Sequence, residues 1–230
     1  MKIGGLQKLS LIDYPGHVGA VLFTQGCNFR CPYCHNPELV DPARFQEPLH
    51  KSAVFAFLEK RRGLLDAVTV TGGEPTLHGD LPDFLQSIKN MGFLVKLDTN
   101  GSNPSMLETC MEGGLVDYVA MDIKSPMGKY SLCAGVNADT TEILKTIRMI
   151  KASQVAHEFR TTLVSPLLTE EDVVSIGSVV GERQKYCLQK YVSGDTLEAD
   201  FKEGKFFTED VLKRISAELL EKYLINGEIR

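Results

Sequence analysis

Three cysteines lie close together near the start of the chain, and their spacing is the feature that most directly predicts chemistry. Cys27, Cys31 and Cys34 follow a C-x3-C-x2-C pattern within a segment that contains one glycine and two prolines, Gly26 to Pro37. Glycine and proline favour an irregular loop, so three thiolates can converge on one small site without closing a long loop. A zinc site ordinarily takes four protein ligands, whereas a 4Fe-4S cluster held by three thiolates keeps one iron open. The missing fourth ligand therefore favours an iron–sulfur cluster.

A structural zinc site is the alternative interpretation of the same loop. His35 would be the fourth ligand, and the protein would then be a zinc-stabilised binding module without catalysis. Adjacent residues such as Cys34 and His35 rarely reach one tetrahedral metal together, which again favours the cluster. The remaining cysteines are distant in sequence, and we interpret them as core residues: Cys110, Cys133 and Cys187.

Glycines and charged residues follow the next predicted strands. In Gly72-Gly73-Glu74 the glycines let the backbone approach a ligand closely, and the carboxylate can accept hydrogen bonds from a cationic amino group. Later strands end in Asp98-Thr99-Asn100-Gly101 and in Asp122, with Lys124 close behind. Strand-end aspartates often cap helices and Asn-Gly is a common turn. Arg160, however, lies within an apolar strand and needs an anionic partner, since unpaired burial is costly.

The elements that would position these residues alternate between strand and helix. Amphipathic helical patterns, several of which end at a glycine, separate the strands. The alternation predicts right-handed βαβ units and a largely parallel sheet, either open and doubly wound or a barrel. Both arrangements place function at the carboxyl ends of the strands. The β-rich runs predict six strands: Val18 to Thr24, Ala67 to Thr71, Phe93 to Leu97, Val116 to Met121, Phe159 to Val164 and Tyr186 to Val192.

Composition limits the class of protein further. The chain has 230 residues, of which 43% are hydrophobic and 24% charged, and it shows no linker, so one domain over residues 1–230 is expected. No apolar run approaches the about 20 residues that span a bilayer, and the N-terminus lacks a secretory pattern, so a soluble cytoplasmic protein without membrane partners is expected. The net charge of −5 argues against nucleic acid as the main partner.

The cysteine loop, with an aromatic residue directly before its last cysteine, resembles the radical S-adenosylmethionine (SAM) superfamily. The resemblance implies that Cys27, Cys31 and Cys34 are the catalytic, metal-binding residues of one 4Fe-4S cluster. It implies that SAM chelates the open iron and is split reductively to methionine and a 5′-deoxyadenosyl radical. It also assigns Gly72, Gly73 and Glu74 to the methionine amino group of SAM and Tyr33 to its adenine.

The later segments resemble those of glycyl radical enzyme activating proteins within that superfamily. The resemblance implies that Asp98, Thr99 and Asp122 hold a monovalent cation beside the carboxylate of SAM. Lys124 and Arg160 would reach toward the polar groups of SAM. The SAM-binding positions implied in this way are Asp98, Thr99, Asn100, Asp122, Lys124 and Arg160.

Two further runs resemble one group of these activating proteins. Cys34-His-Asn-Pro37 is similar to the activating enzymes of pyruvate formate-lyase and of anaerobic (class III) ribonucleoside-triphosphate reductase. The upstream Ser10 to Gly16 resembles the activating protein of the reductase. The resemblance implies hydrogen abstraction from a glycine of a separate glycyl radical enzyme, and a low-potential electron donor such as flavodoxin. It also implies an α/β fold with parallel strands, a partial (β/α)6 TIM-like barrel, which agrees with a length below the about 250 residues of a closed eight-unit barrel.

Two alternatives remain within radical chemistry. Pyruvate formate-lyase activating enzymes place a histidine near the end of the sixth strand, where Tyr191 to Asp195 has none. A small-molecule enzyme such as 7-carboxy-7-deazaguanine synthase would use the same SAM site. Asp13 and His17 precede the cysteine loop, and turn capping is the favoured interpretation of both. The alternative places them at the mouth through which a partner's glycine loop enters.

Overall fold

An eight-stranded sheet organises the chain, and its strands pair in chain order. The computed structural model describes residues 1–203 and 206–230. The first strand runs antiparallel to the second, and each later pair is parallel. The strands are β1 (Ile3–Ser10), β2 (Gly19–Thr24), β3 (Ala67–Gly72), β4 (Leu94–Thr99), β5 (Tyr118–Asp122), β6 (Ala156–Leu163), β7 (Tyr186–Lys190) and β8 (Gly227–Ile229).

Helices connect the parallel strands. Two of them begin at the threonines expected from the sequence: Thr169 forms a capping box with Asp172, and the Thr208 side chain accepts a hydrogen bond from the Val211 amide. Among the described residues, no helix is long and apolar enough to cross a membrane. The helices are α1 (Pro37–Val40), α2 (Lys51–Glu59), α3 (Leu81–Asn90), α4 (Pro104–Glu112), α5 (Tyr130–Ala134), α6 (Thr140–Ala152), α7 (Glu170–Val180) and α8 (Glu209–Tyr223).

The sheet contains two strands that the apolar runs did not predict. The six predicted strands are confirmed as β2 to β7, with the α/β class and the largely parallel sheet. The additional strands, β1 and β8, lie at the two edges. β1 includes two glycines and an exposed stretch, Gln7 to Leu9, and β8 has only three residues. Edge strands are covered on fewer sides, so they lack the apolar signature of buried parallel strands.

The sheet curls into a partial barrel, as predicted. Phe23 of β2 and Gln189 of β7 line the same cavity, together with Asp98 of β4 and Asp122 of β5. Within residues 1–203 and 206–230, β1 pairs only with β2 and β8 only with β7, so the barrel is open. Side chains alternate along a strand, which turns one face of the sheet toward the cavity and the other toward the helices.

The main hydrophobic core lies between the sheet and its helices. Leu97 of β4 and Val119 of β5 are fully buried there with Leu85 and Ile147 of the helices. The inner face carries polar and charged side chains together with a second, small apolar cluster of Tyr14, Ala67, Tyr118 and Ala120. The fold therefore uses most of its apolar residues for stability on the outer face of the sheet and leaves the rest of the inner face free for chemistry.

Candidate active site

A cavity of about 350 Å³ opens at the carboxyl ends of the parallel strands. All of the site residues that the sequence predicts line this cavity, although they come from loops that are far apart along the chain. Their roles remain predictions, but their common location is an observation. The residues concerned are Cys27, Cys31, Tyr33, Cys34, Gly72, Gly73, Glu74, Asp98, Thr99, Asn100, Asp122, Lys124 and Arg160.

Arg30 shapes the loop that carries the cysteines. Its guanidinium donates hydrogen bonds to the carbonyl oxygens of Cys27, at 2.6 Å, and Phe29, at 2.7 Å. Its backbone amide donates to the Ala134 carbonyl at 2.8 Å. A Cβ atom at Gly135 would lie 1.9 Å from the Arg30 carbonyl oxygen, and Gly135 has φ +66°. The loop is therefore fixed against the end of α5, and glycine is required at that contact.

The donor set fits a cluster bound by three thiolates. Cys27, Cys31 and Cys34 are free thiols on one cavity. Burial raises the pKa of the Cys27 thiol to about 12 and that of Cys31 to about 11. A cationic metal centre reverses this effect, because a coordinating thiol loses its proton. In the described part of the chain, no three His, Cys, Asp or Glu side chains are grouped closely enough to hold a single metal ion.

His35, the fourth ligand of the zinc alternative, has other partners. Its Nε2 atom donates a hydrogen bond to the Val192 carbonyl oxygen at 2.6 Å. Its ring stacks on Tyr191 with 4.8 Å between the ring centroids. These contacts fix the ring against the segment after β7 and occupy one of its two nitrogen atoms, which weakens the interpretation of His35 as a metal ligand.

Gly72 and Gly73 allow two loops to meet. A Cβ atom at Gly72 would lie 2.3 Å from the Thr24 amide nitrogen, and one at Gly73 would lie 2.1 Å from the Gly26 carbonyl oxygen. The Gly73 amide donates to the Thr24 carbonyl and the Glu74 amide donates to the Gly26 carbonyl, both at 2.8 Å. The sequence predicted close approach to a ligand, whereas the observed close approach is to the start of the cysteine loop.

Glu74 is buried, and its carboxylate already has internal partners. Oε1 accepts hydrogen bonds from the hydroxyls of Thr76, at 2.5 Å, and Thr99, at 2.8 Å, while Oε2 accepts one from the Asn100 amide at 2.7 Å. Burial raises the pKa of Glu74, and these hydrogen bonds oppose that shift. The carboxylate binds the ends of β3 and β4 to each other and also lines the cavity. Its predicted contact with the amino group of SAM stays a prediction.

Asn100 connects the end of β4 to the cysteine loop. Its Nδ2 atom donates to Asn28 Oδ1 at 2.9 Å, and its Oδ1 atom accepts from the Ser102 hydroxyl at 2.6 Å. Asn28 and Ser102 were not predicted, although both lie beside predicted residues. Tyr33 lines the cavity from the other side of the loop, but it is only 5% exposed and packs within the core.

A continuous series of ion pairs crosses the cavity floor. We call it the charged chain: Lys96, Asp98, Arg160, Asp122 and Lys124. Asp98 faces Lys96 Nζ at 2.5 Å and Arg160 Nη1 at 3.1 Å. Asp122 faces Arg160 Nε at 2.8 Å and Lys124 Nζ at 3.0 Å. Arg160 thus has the anionic partners that its place in a strand required.

The charges hold one another in their ionised forms. Burial would raise the pKa of Asp122, but Arg160 and Lys124 outweigh it and hold that pKa well below its usual range. Burial would lower the pKa of Lys124, but Asp122 outweighs it and holds that pKa above its usual range. Asp98, Asp122, Lys124 and Arg160 line the cavity, whereas the Lys96 side chain is buried beside Asp98. The charged chain therefore presents two cationic groups at fixed positions to the cavity.

Lys96 is the member of the charged chain that sequence reasoning missed. It is a single lysine in an apolar strand, which is the signal that identified Arg160. Thr162 and Gln189 were also missed; they pair between β6 and β7 and line the cavity. Two-residue alternation from Arg160 would have placed Thr162 on the same face.

Asp13 and His17 lie at the amino end of β2, opposite the cysteine loop. Asp13 accepts a hydrogen bond from Ser10, which pairs with Gly19, the first residue of β2. His17 packs on Tyr14 with 4.9 Å between the ring centroids. Asp13 still lines the cavity, from its deep end. The prediction of both residues at the mouth is therefore wrong, because the preceding strand runs antiparallel to β2.

Comparison with known proteins agrees with these features. Residues 21–178 match the sequence profile described as the Radical SAM superfamily. The chain is 35% identical to a Methanocaldococcus jannaschii protein to which the name glycyl-radical enzyme activating enzyme has been assigned by inference. The match covers 99% of this chain and 95% of that protein. It is 34% identical to the pyruvate formate-lyase-activating enzyme of Clostridium pasteurianum, over 54% of this chain and 52% of that one.

The fold also has solved counterparts. The crystal structure of Streptococcus suis SuiB bound to the precursor peptide SuiA superposes with a TM-score of 0.71. The two chains are 10% identical, and the match covers 91% of this chain and 48% of SuiB. At that identity the likeness concerns the fold alone.

Proposed function

Because the chain belongs to the radical SAM superfamily, we propose that it activates a glycyl radical enzyme. In this proposal one domain, residues 1–230, binds one 4Fe-4S cluster through Cys27, Cys31 and Cys34 and binds SAM in the adjoining cavity. When bound, the cluster and SAM supply a 5′-deoxyadenosyl radical, which removes a hydrogen atom from the α-carbon of a glycine in the partner. The observation that carries the chemistry is that the three free cysteines line one cavity with Lys124 and Arg160.

The charged chain orients the anionic end of SAM. Lys124 and Arg160 line the cavity, and their cationic groups can donate charge-assisted hydrogen bonds to the carboxylate of SAM. Because Asp122 holds both cationic groups, their positions are set before SAM arrives. Such preorganisation matters for this reaction, since a misplacement of about 1 Å can cost about 100-fold in rate.

The contacts between loops keep the cluster ligands in register with the SAM site. Glu74 binds the end of β3 to the end of β4, and Asn100 binds the end of β4 to Asn28 in the cysteine loop. Gly73 lets the same turn lie directly against Gly26. These residues position others, whereas the cysteines, Lys124 and Arg160 would touch the cofactors.

The similarity to the Methanocaldococcus jannaschii protein extends over nearly the whole of both chains, and it supports a protein partner. Among such partners, anaerobic ribonucleoside-triphosphate reductase is favoured by Ser10 to Gly16 and by the absence of a histidine from Tyr191 to Asp195. The reaction needs a low-potential electron donor such as flavodoxin, and the protein would act in the cytoplasm. The similarity to a pyruvate formate-lyase-activating enzyme makes pyruvate formate-lyase the second candidate partner.

The first test is metal content and SAM cleavage by the anaerobically reconstituted protein. We expect a reducible 4Fe-4S cluster, and 5′-deoxyadenosine and methionine after reduction with dithionite. Cys31→Ala should lose both, whereas the matched variant Cys110→Ala, a buried cysteine outside the cavity, should keep both. One tightly bound zinc without iron would instead support the binding module.

The second test identifies the partner. The reduced protein and SAM are mixed with each candidate glycyl radical enzyme, and electron paramagnetic resonance follows the radical. A stable glycyl radical on the reductase, and not on pyruvate formate-lyase, is the expected result. SAM cleavage that never leaves a radical on any candidate polypeptide would favour a small-molecule substrate, as in 7-carboxy-7-deazaguanine synthase.

A further inference from the structure

We propose that Lys96 supplies, from within the protein, the positive charge that a monovalent cation near Asp98 and Asp122 would otherwise supply, so that this enzyme needs no such cation. The inference rests on the proposed function, because the two carboxylates belong to the proposed SAM site. Lys96 acts through Asp98 and is therefore a positioning residue.

The geometry of β4 places the Lys96 side chain beside that of Asp98. The two residues are separated by one position on β4, so both side chains project from the same face of the sheet. Lys96 Nζ lies 2.5 Å from Asp98 Oδ1, and the lysine side chain is only 2% exposed. A buried ammonium group needs an anionic partner, and Asp98 is the partner that the structure provides.

The other buried carboxylate on this face has cations of its own. Glu158 faces Arg230 at 3.0 Å and Lys185 at 3.3 Å, and it accepts a hydrogen bond from Tyr118. Lys96 is paired in register with Tyr118 across β4 and β5. Lys96 also helps to lower the pKa of Glu158, but Arg230 and Arg160 contribute more to that shift, and the hydrogen bond of Lys96 is with Asp98.

The carboxylates offer little to an additional cation. Each of the four carboxylate oxygens of Asp98 and Asp122 already faces a cationic nitrogen, from Lys96, Arg160 or Lys124. A cation bound between them would need those oxygens as ligands. It would also lie beside three like charges in a site with little solvent, where repulsion is poorly screened. The predicted cation therefore does not fit the side chains present.

The wild-type, cluster-loaded protein tests the proposal first. Thallium-205 magnetic resonance, with Tl⁺ as a probe for K⁺, should detect no saturable site. Equilibrium dialysis should give the same dissociation constant for SAM in potassium, sodium and choline chloride at equal ionic strength. A Tl⁺ site that K⁺ displaces, or SAM binding that requires K⁺, would overturn the proposal.

The Lys96→Met variant tests the lysine directly. Without the ammonium group, SAM should bind about tenfold more weakly in choline chloride, as expected for loss of a charge-assisted contact that positions the site. Potassium should restore the affinity and create a saturable Tl⁺ site, an effect that loss of a merely structural ion pair would not produce. Unchanged SAM affinity in choline chloride, or weakened affinity that potassium does not restore, contradicts the proposal.

Two further variants complete the design. Lys89→Met removes a lysine that pairs with Asp117 at 2.7 Å outside the cavity, and it should leave SAM binding independent of the salt. Lys96→Arg keeps the positive charge and should also remain independent of potassium. If Lys96→Met does not fold, the wild-type Tl⁺ measurement still decides the proposal.

Failure of this inference is distinguishable from failure of the proposed function. If the protein binds and cleaves SAM only when potassium is present, the function stands and the inference is wrong. If the protein fails to cleave SAM in every salt, the proposed function is wrong, whereas the Tl⁺ measurement still reports whether Asp98 and Asp122 hold a cation.

Discussion

Two groups of ion pairs meet on β6, one at Arg160 and the other at Glu158, and they are built differently. Asp98, Asp122, Lys124 and Arg160 of the charged chain line the cavity, and Lys96 is buried beside Asp98. The other group, here called the deep cluster, consists of Glu158, Lys185, Glu228 and Arg230 and contains equal numbers of each charge. Cationic groups that line the cavity can act on an anionic ligand, whereas the deep cluster lies outside that cavity and acts on the protein itself.

The difference assigns separate roles to the two groups. Arg230, the last residue, reaches both oxygens of Glu158, at 3.0 and 3.1 Å, and so attaches the β8 edge to β6. The deep cluster thereby stabilises the edge of the open barrel. The charged chain, by contrast, keeps its cationic groups at fixed positions for an anion. Variants should therefore separate stability from activity.

The largest stability effect should come from Glu158→Gln. The variant should lose about 2 kcal/mol of unfolding free energy, because the buried carboxylate loses its charge-assisted hydrogen bonds. The loss stays below that of a fully buried ion pair, since Arg230 and Lys185 are partly exposed and remain solvated. Denaturant unfolding under anaerobic conditions measures this loss. SAM cleavage per folded molecule should stay within about twofold of wild type, since the reaction geometry is untouched. A large loss of cleavage at unchanged stability would remove the distinction between the two groups.

The largest activity effect outside the cofactor ligands should come from Gly73→Ala. The added Cβ atom would meet the Gly26 carbonyl oxygen at 2.1 Å and push the Glu74 turn away from the cysteine loop. A displacement of about 1 Å predicts about 100-fold slower SAM cleavage per folded molecule. Gly79→Ala is the matched control, because a Cβ atom there meets nothing within 4 Å. Equal rates for both variants would contradict the packing argument.

The deep cluster should also make stability depend on pH. Burial would raise the pKa of Glu158, but Arg230 outweighs it and lowers that pKa to about 2. The carboxylate therefore contributes full stability above its unfolded pKa of about 4.3 and loses that contribution as the pH falls toward 2. The difference in unfolding free energy between wild type and Glu158→Gln should shrink over that window. A constant difference from pH 5 to pH 2 would contradict the predicted protonation.

The smallest effect should come from Lys185→Met. Lys185 also faces Glu158, but its side chain is 39% exposed and Arg230 remains in place. Water already solvates the ammonium group, so its removal should cost less than about 1 kcal/mol of unfolding free energy. A loss as large as that of Glu158→Gln would show that Arg230 alone does not hold the cluster together.

Local patterns predicted much of this fold. Apolar runs identified β2 to β7, and glycines and capping threonines marked the helices between them. The same patterns missed β1 and β8, because an exposed strand such as Gln7 to Leu9 has no apolar signature. Strand order was predictable in outline, since parallel strands joined by helices usually lie beside their neighbours in sequence.

The site residues were predictable as a set, but their contacts were not. Residue types and strand ends pointed to the cysteines, the Gly72-Gly73 turn and Arg160. The partners of Glu74 and Lys96, and the place of Asp13 and His17, depended on how separate strands lie against each other. A sequence without coordinates carries no distances between such residues.

By itself, the sequence determined the alternation of strands and helices and the three-cysteine loop, because both depend on residues that are close in the chain. Only the tertiary structure decided which charges meet. Asp122 faces Arg160 because β5 and β6 pair in that register, and Glu158 meets Arg230 across 72 positions of sequence. A shift of one residue in either strand would turn these side chains to the opposite face, so the register of the sheet sets the electrostatics of the cavity.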